Sequence, residues 1–357
     1  MSPAADRDRD RRRPRATLAR ALVRWLPALA VTACGLALLW PVPLGRMPLS
    51  ADHTVHLTRA WLIGQMLAER WQLSGWSELW FFGFPAGELY PPLGDLAVVL
   101  VHALGLGLIP WERCYAWVFT LVFLLQGWSL LRAGRALGLG PWPGLVAALL
   151  ALVDLGAYRE GGWVYTVFYG VWPQALATSL VTLTIAELLL ASRATGDLQD
   201  LLQGTSRTES DRAGAELDAR ARRRHLAGAG VCAGLALLAH PMSMLVLVGG
   251  GLAYALVLGL SPPRRETPRD RRHPRLVRAL LHAALGLGLG LGLAAWWLLP
   301  MLAHRGWMAS YGWLYAPLQP MTRQLLEHGR WTHDMPALVG YAALASMLYA
   351  ALLGGRA

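Results

Sequence analysis

A chain of 357 residues that is 55% hydrophobic and only 15% charged, with a mean hydropathy of +0.37, lies outside soluble globular composition, where charged residues make up about 25%. Its net charge of +11 comes from arginine alone, since the sequence has no lysine, and the arginines fall in runs between long uncharged stretches. That distribution excludes a nucleic-acid partner and assigns the charge to membrane topology and anionic lipid headgroups. The three cysteines, Cys34, Cys114 and Cys232, are far apart without CxxC spacing, which excludes a disulfide or zinc framework.

In chain order, residues 1–21 form an arginine-rich polar tail, read as disordered and cytoplasmic. A helix of about 20 apolar residues spans a bilayer while satisfying its own backbone hydrogen bonds. Such segments are expected at 22–42, 113–131, 143–158, 173–192, 225–243, 245–261, 279–302 and 335–353. The absence of a small-residue cleavage site marks the first as a retained helix rather than a removed signal. The run Leu96–Ile109, with His102 inside it, has a length that suits a re-entrant or interfacial element better than a full crossing. If it does not cross, the connections 132–142, 193–224 and 262–278, which hold most of the remaining arginines, all fall on the cytoplasmic side. The connections 43–112, 157–173 and 303–334, rich in tryptophan and tyrosine, then fall outside. The expectation is an all-α, polytopic bundle over 22–353 with eight spans and a long first extracytoplasmic loop, in a bacterial inner membrane with a cytoplasmic N-terminus. The cytoplasmic loops 193–224 and 262–278 read as solvated linkers, and the glycines of Leu285–Ala294 as close helix contacts.

The first outer loop opens with Ser50–Trp71, where Leu57, Trp61, Leu62, Met66 and Leu67 lie on one face of an interfacial helix. Asp52 and His56 are four apart at its start and share a face. A carboxylate beside an imidazole can deprotonate an acceptor hydroxyl or hold a divalent cation. The alternative is an N-cap carboxylate with His53 and His56 as wet interfacial residues, and the spacing leaves both open. Trp76, Trp80, Phe81, Phe82 and Tyr90 then supply aromatic surface on a path fixed by Gly83, Pro85, Pro91 and Pro92. In the second outer loop, Arg159 can clamp a phosphate and Glu160 can bind a metal or an acceptor, or the two can be a local ion pair. His240 before Pro241 marks an outer turn. Arg305, Arg323 and Arg330 stand among aromatics in the last loop, and Glu187 is read as interfacial or bundle-facing.

Asp52 after the first span, the run from Trp76 through Gly83 and Pro85 to Tyr90–Leu93, the turn Arg132–Gly138, Tyr158–Gly162, His240–Met244 and Trp296–Pro300 together resemble the GT-C superfamily of polyprenyl-phosphate-dependent glycosyltransferases. The likeness covers about residues 22–302, and is narrower to bacterial membrane proteins labelled as related to 6-pyruvoyl-tetrahydropterin synthase. The resemblance implies a GT-C-like fold and transfer of a hexose or pentose from a lipid-linked donor to an extracytoplasmic acceptor. It carries the catalytic roles onto Asp52 and Glu160, with a possible divalent metal held by Asp52, His56 and Glu160. Substrate contacts are expected from His56, Tyr90, Arg159, His240, Arg305 and Arg323. The sequence departs from the family where Asp52-His53 stands in place of paired acids. A transporter or flippase for lipid-linked envelope precursors and a non-catalytic membrane scaffold are the alternatives.

Overall fold

The computed structural model describes residues 25–79, 83–156, 161–194, 212–260 and 272–307. The expected eighth span, 335–353, lies outside them, as do Arg159, Glu160, Arg323 and Arg330. The described chain is mostly helical. Helix α1 (Trp25–Leu38) leads into a turn at 39–45, and α2 (His53–Arg70) follows. A two-stranded antiparallel hairpin, β1 (Gly75–Ser77) with β2 (Phe84–Ala86), fills the proline-rich stretch before α3 (Leu93–Leu104). Then come α4 (Trp111–Ala136), α5 (Pro141–Val153), a π-helical turn at Val164–Phe168, and α6 (Trp172–Ala194). Finally α7 (Arg212–Ala239), α8 (Ser243–Leu260) and α9 (Arg272–Ala303) complete the described chain.

Three of these helices are long and apolar enough to cross a membrane: Trp111–Ala136, Trp172–Arg193 and Arg275–Ala303. Helices α1, α3, α5 and α8 are apolar but shorter. The outward face of α8 and α9 is aliphatic. Leu245, Val246, Leu252 and Val257 on α8 and Leu281, Leu285 and Leu289 on α9 are each more than half exposed. A continuous aliphatic surface of this kind needs hydrocarbon around it. The chain is a membrane-embedded helical protein.

The twelve residues of α3 rise only about 18 Å, well short of a bilayer core of roughly 30 Å. His102 closes the end of α3 through a hydrogen bond between Nδ1 and the Ile109 carbonyl (2.8 Å) and by stacking on Trp111 at 3.9 Å. Several boundaries differ from the expected ones. The third apolar helix stops at Val153 rather than 158, because Asp154 leaves the helix in an extended conformation. Helix α7 begins at Arg212, well before the expected 225, so part of 193–224 is helical where a solvated linker was expected. Likewise α9 starts at Arg272, inside the expected linker 262–278. Arginine and alanine favour helix even in a polar segment, and each stretch extends a helix already anchored by its apolar half.

Charged contacts mark one end of the bundle. Glu187 on α6 accepts from Arg132 of α4 (Nη2–Oε1 2.6 Å, Nε–Oε1 3.0 Å) and pairs with His225 of α7 (Nδ1–Oε2 2.7 Å). Arg193 also reaches the Arg135 carbonyl at 3.3 Å. The C-terminal halves of α4 and α6 and the N-terminal half of α7 therefore share one level. Along α7 and α9, a Cβ on Gly290 would stand 2.7 Å from that of Ala233, the close contact expected of the glycine-rich run. Glu187→Gln removes the charge serving two partners on different helices. It is expected to cost on the order of 1–2 kcal/mol, discounted because the Arg132 side chain is 42% exposed. A lower unfolding temperature in detergent checks it.

Candidate functional site

The other end of the bundle collects the predicted residues. Helix α2 starts at Asp52, which occupies the N-cap position without any side-chain cap bond. Its backbone N–H donates to the Tyr169 carbonyl at 3.1 Å instead, so the start of α2 is pinned to the loop that follows α5. The carboxylate is exposed. Partial loss of hydration raises its pKa above the usual carboxylate value, more than the neighbouring His53 imidazole lowers it. The capping alternative, in which the carboxylate is consumed by backbone N–H groups, is therefore not what this geometry shows.

His53 is the anchor. It is fully buried, and both ring nitrogens are engaged. Nε2 lies 2.7 Å from the Val167 carbonyl, which only accepts, so Nε2 carries the proton. Nδ1 then accepts from the Tyr115 hydroxyl at 2.8 Å, and that hydroxyl in turn accepts from the Trp172 indole N–H at 2.6 Å. One buried hydrogen-bond chain thus ties α2, α4, α6 and the π-helical turn together. Gly170 belongs to this junction. Its φ of +75° suits glycine, and a Cβ there would come within 2.8 Å of the His53 nitrogen. Gly94 plays a steric part on α3, where a Cβ would meet the Trp172 ring at 2.6 Å.

The buried face of α2 consists of His53, His56, Ala60, Leu62 and Ile63. Of the apolar set expected on an interfacial face, Leu62 is buried here, Trp61 is 38% exposed, and Leu57, Met66 and Leu67 are partly buried. The buried face overturns the wet reading of His53 and His56. The inward positions were disguised because two of them are imidazoles, whose polar atoms are paid for by specific partners or by aromatic neighbours. His56 is 4% exposed and lies against Trp172 (5.6 Å between ring centroids) and Tyr90 (5.8 Å). Its Nδ1 is buried without a hydrogen-bond partner among the described residues. Burial, and then the nearby Arg59, His53 and His240, lower its pKa to about 3. His240 closes the α7–α8 turn as expected. Its ring stands edge-on to Tyr90 at 6.5 Å, its Nδ1 accepts from the Met242 N–H at 3.3 Å, and burial lowers its pKa to about 4. Both imidazoles are neutral at physiological pH.

Tyr90 is the hub between them. The Arg59 guanidinium stacks over its ring at 3.9 Å and donates to Asp95 Oδ2 through Nε (3.1 Å) and Nη2 (2.7 Å). Asp95 is only 3% exposed. The sequence reading missed Arg59 and Asp95, although a carboxylate inside the apolar run of α3 was the signal that a cation had to meet it. Glu88, in the turn after β2, meets His304 just past α9 (2.8 Å), so the segment bearing Arg305 begins at this same end. Arg305 itself is exposed in a short 3-10 turn.

The described residues therefore bring Asp52, His56, Tyr90 and His240 to one end of the bundle, together with the loop that continues from Gly161. Arg159, Glu160 and Arg323 lie outside the described residues. Among those described, no three His, Cys, Asp or Glu side chains converge as metal ligands, and Glu160 is the remaining member of the expected set. No protein-family model, curated protein or solved structure matches the chain.

Proposed function

We propose that this chain is an integral-membrane glycosyltransferase of GT-C type, acting at the extracytoplasmic face of a bacterial inner membrane. The observation that carries the reading is Asp52: an exposed carboxylate, free of the cap bond its position invites, standing beside the second loop at the bundle end that gathers His56, Tyr90 and His240. Arg132 and Arg135 near the end of α4 and Arg193 near the end of α6 lie at the Arg132–Glu187–His225 end, and this supports assigning that end to the cytoplasmic side by the positive-inside rule.

In the proposed reaction an acceptor hydroxyl attacks the anomeric carbon of a sugar carried on a polyprenyl phosphate. The new glycosidic bond forms as the bond from that carbon to the phosphate oxygen breaks. Asp52 takes the hydroxyl proton, and the carrier phosphate leaves with the bonding pair. Glu160 is the proposed second acid, and Arg159, Arg305 and Arg323 are the proposed partners of the departing phosphate. Tyr90, with His56 and His240 held neutral, supplies an aromatic wall with hydrogen-bonding capacity for the sugar or the acceptor. Transfer of label from a lipid-linked sugar by the reconstituted chain tests the proposal. Transfer that depends on Asp52 supports it, and transfer indifferent to Asp52→Asn removes that residue from the chemistry.

A further inference from the structure

Beside the end of α1 lies a cavity of about 300 Å³ that none of the chemistry above uses. This is the lower end of the volume range of small-molecule sites. Leu38, Val42 and Met47 form one wall, and Trp163, Val167 and Phe168 of the second loop form the other. The polar lining comes from Arg46 and Ser50. A second arginine, Arg113, lies over Gly45, the residue before Arg46, where a Cβ would meet its Cγ at 2.6 Å. Arg46 and Arg113 are both exposed, and neither has an acidic partner among the described residues. Around them the surface is apolar: Trp40, Leu44, Leu49 and Phe168 are all more than half exposed.

An apolar cleft, an exposed apolar rim and two guanidiniums without an acidic partner among the described residues, at the end of a bundle that sits in a membrane, have one natural complement. We infer that this cleft seats an acyl chain of an anionic phospholipid, whose phosphate diester rests on Arg46 and Arg113. The aromatic and aliphatic rim sits at headgroup depth, where indole and guanidinium groups are both favoured. A guanidinium binds a phosphate by paired charge-assisted hydrogen bonds, which a zwitterionic lipid's ammonium group partly opposes. The occupant is a bilayer lipid rather than a lipid-linked sugar, since the cavity shares no lining residue with the group formed by His56, Tyr90, Trp172 and His240. Because Val167 both lines the cleft and accepts from His53, an occupied cleft also braces the junction that holds Asp52. The inference depends on membrane embedding and is independent of the glycosyltransferase reading.

Native mass spectrometry of the purified full chain, offered phosphatidylglycerol, phosphatidylcholine of the same acyl chains, and a polyprenyl phosphate, tests it. The wild type is expected to retain one phosphatidylglycerol with at least about tenfold preference over phosphatidylcholine. The doubly substituted Arg46→Gln/Arg113→Gln chain, altered only at exposed positions, is expected to lose that preference. Ser50→Trp, which fills the cleft, is expected to lower retention of both lipids. Equal retention of the two phospholipids by the wild type overturns the inference. So does a preference that survives loss of both arginines, retention unchanged by Ser50→Trp, or displacement of phosphatidylglycerol by polyprenyl phosphate at lower concentration.

Discussion

Asp52→Asn is expected to lower the rate of sugar transfer by about 10²- to 10⁴-fold, the usual contribution of a positioned general base, while leaving the fold intact. The substitution is nearly isosteric, the carboxylate is exposed, and no cap bond depends on it. Asparagine is itself a good N-cap residue, so the start of α2 is not weakened. The pH profile distinguishes a base from a merely structural group. A base works ionised, so transfer by the wild type rises as pH climbs through the Asp52 pKa. Lost hydration places that pKa above the ordinary carboxylate value of 3.8, which displaces the limb upward. The asparagine variant is expected to lack the limb altogether. Initial rates against pH for both chains, beside their unfolding temperatures, provide the measurement.

Arg59→Ala is expected to be the most damaging single change in stability, at about 3–5 kcal/mol. It strips the guanidinium from Asp95, a carboxylate with only 3% of its surface exposed, and removes the cation stacked on Tyr90 at 3.9 Å. Breaking one side of a buried pair leaves an uncompensated charge, which costs more than the pair contributed. Replacing both members with apolar residues of similar volume, Arg59→Met with Asp95→Leu, is therefore expected to be far milder than Arg59→Ala alone. Thermal unfolding in detergent of the single and double variants checks both statements. A single variant within about 1 kcal/mol of wild type would show that the pair is not buried in the membrane-embedded protein.

Much of the helical order was legible from the sequence because its signals are local. Apolar runs bounded by arginine or proline gave α4, α6, α8 and α9 to within a few residues at their apolar ends. The shortness of Leu96–Ile109 was also a usable signal, and α3 is indeed only twelve residues long. Long-range chemistry was not legible in the same way. His53 looks like a solvent-facing residue until Tyr115, 62 positions away, and Val167, 114 positions away, reach its two nitrogens. The inward face of α2 was hidden for the same reason, since hydrophobicity does not rank two imidazoles as buried when their partners come from elsewhere. The convergence of His56, Tyr90 and His240 needed α2, the loop before α3 and the α7–α8 turn to meet, which no spacing within one segment reveals. Asp95 was readable, as a carboxylate in an apolar run demands a cation, but the choice of Arg59 was not.

Every functional statement above requires the Asp52 end of the bundle and the loop beginning at Gly161 to face the same compartment, opposite the arginine-rich connections. Single cysteines at Asp52, Gly161 and Arg220, in a chain first freed of Cys34, Cys114 and Cys232, test that arrangement with a membrane-impermeant maleimide on intact cells. Labelling from outside is expected at positions 52 and 161, with position 220 labelled only after the membrane is opened. Protection of position 52 from the outside reagent, or labelling of 52 and 161 from opposite sides, would contradict the account.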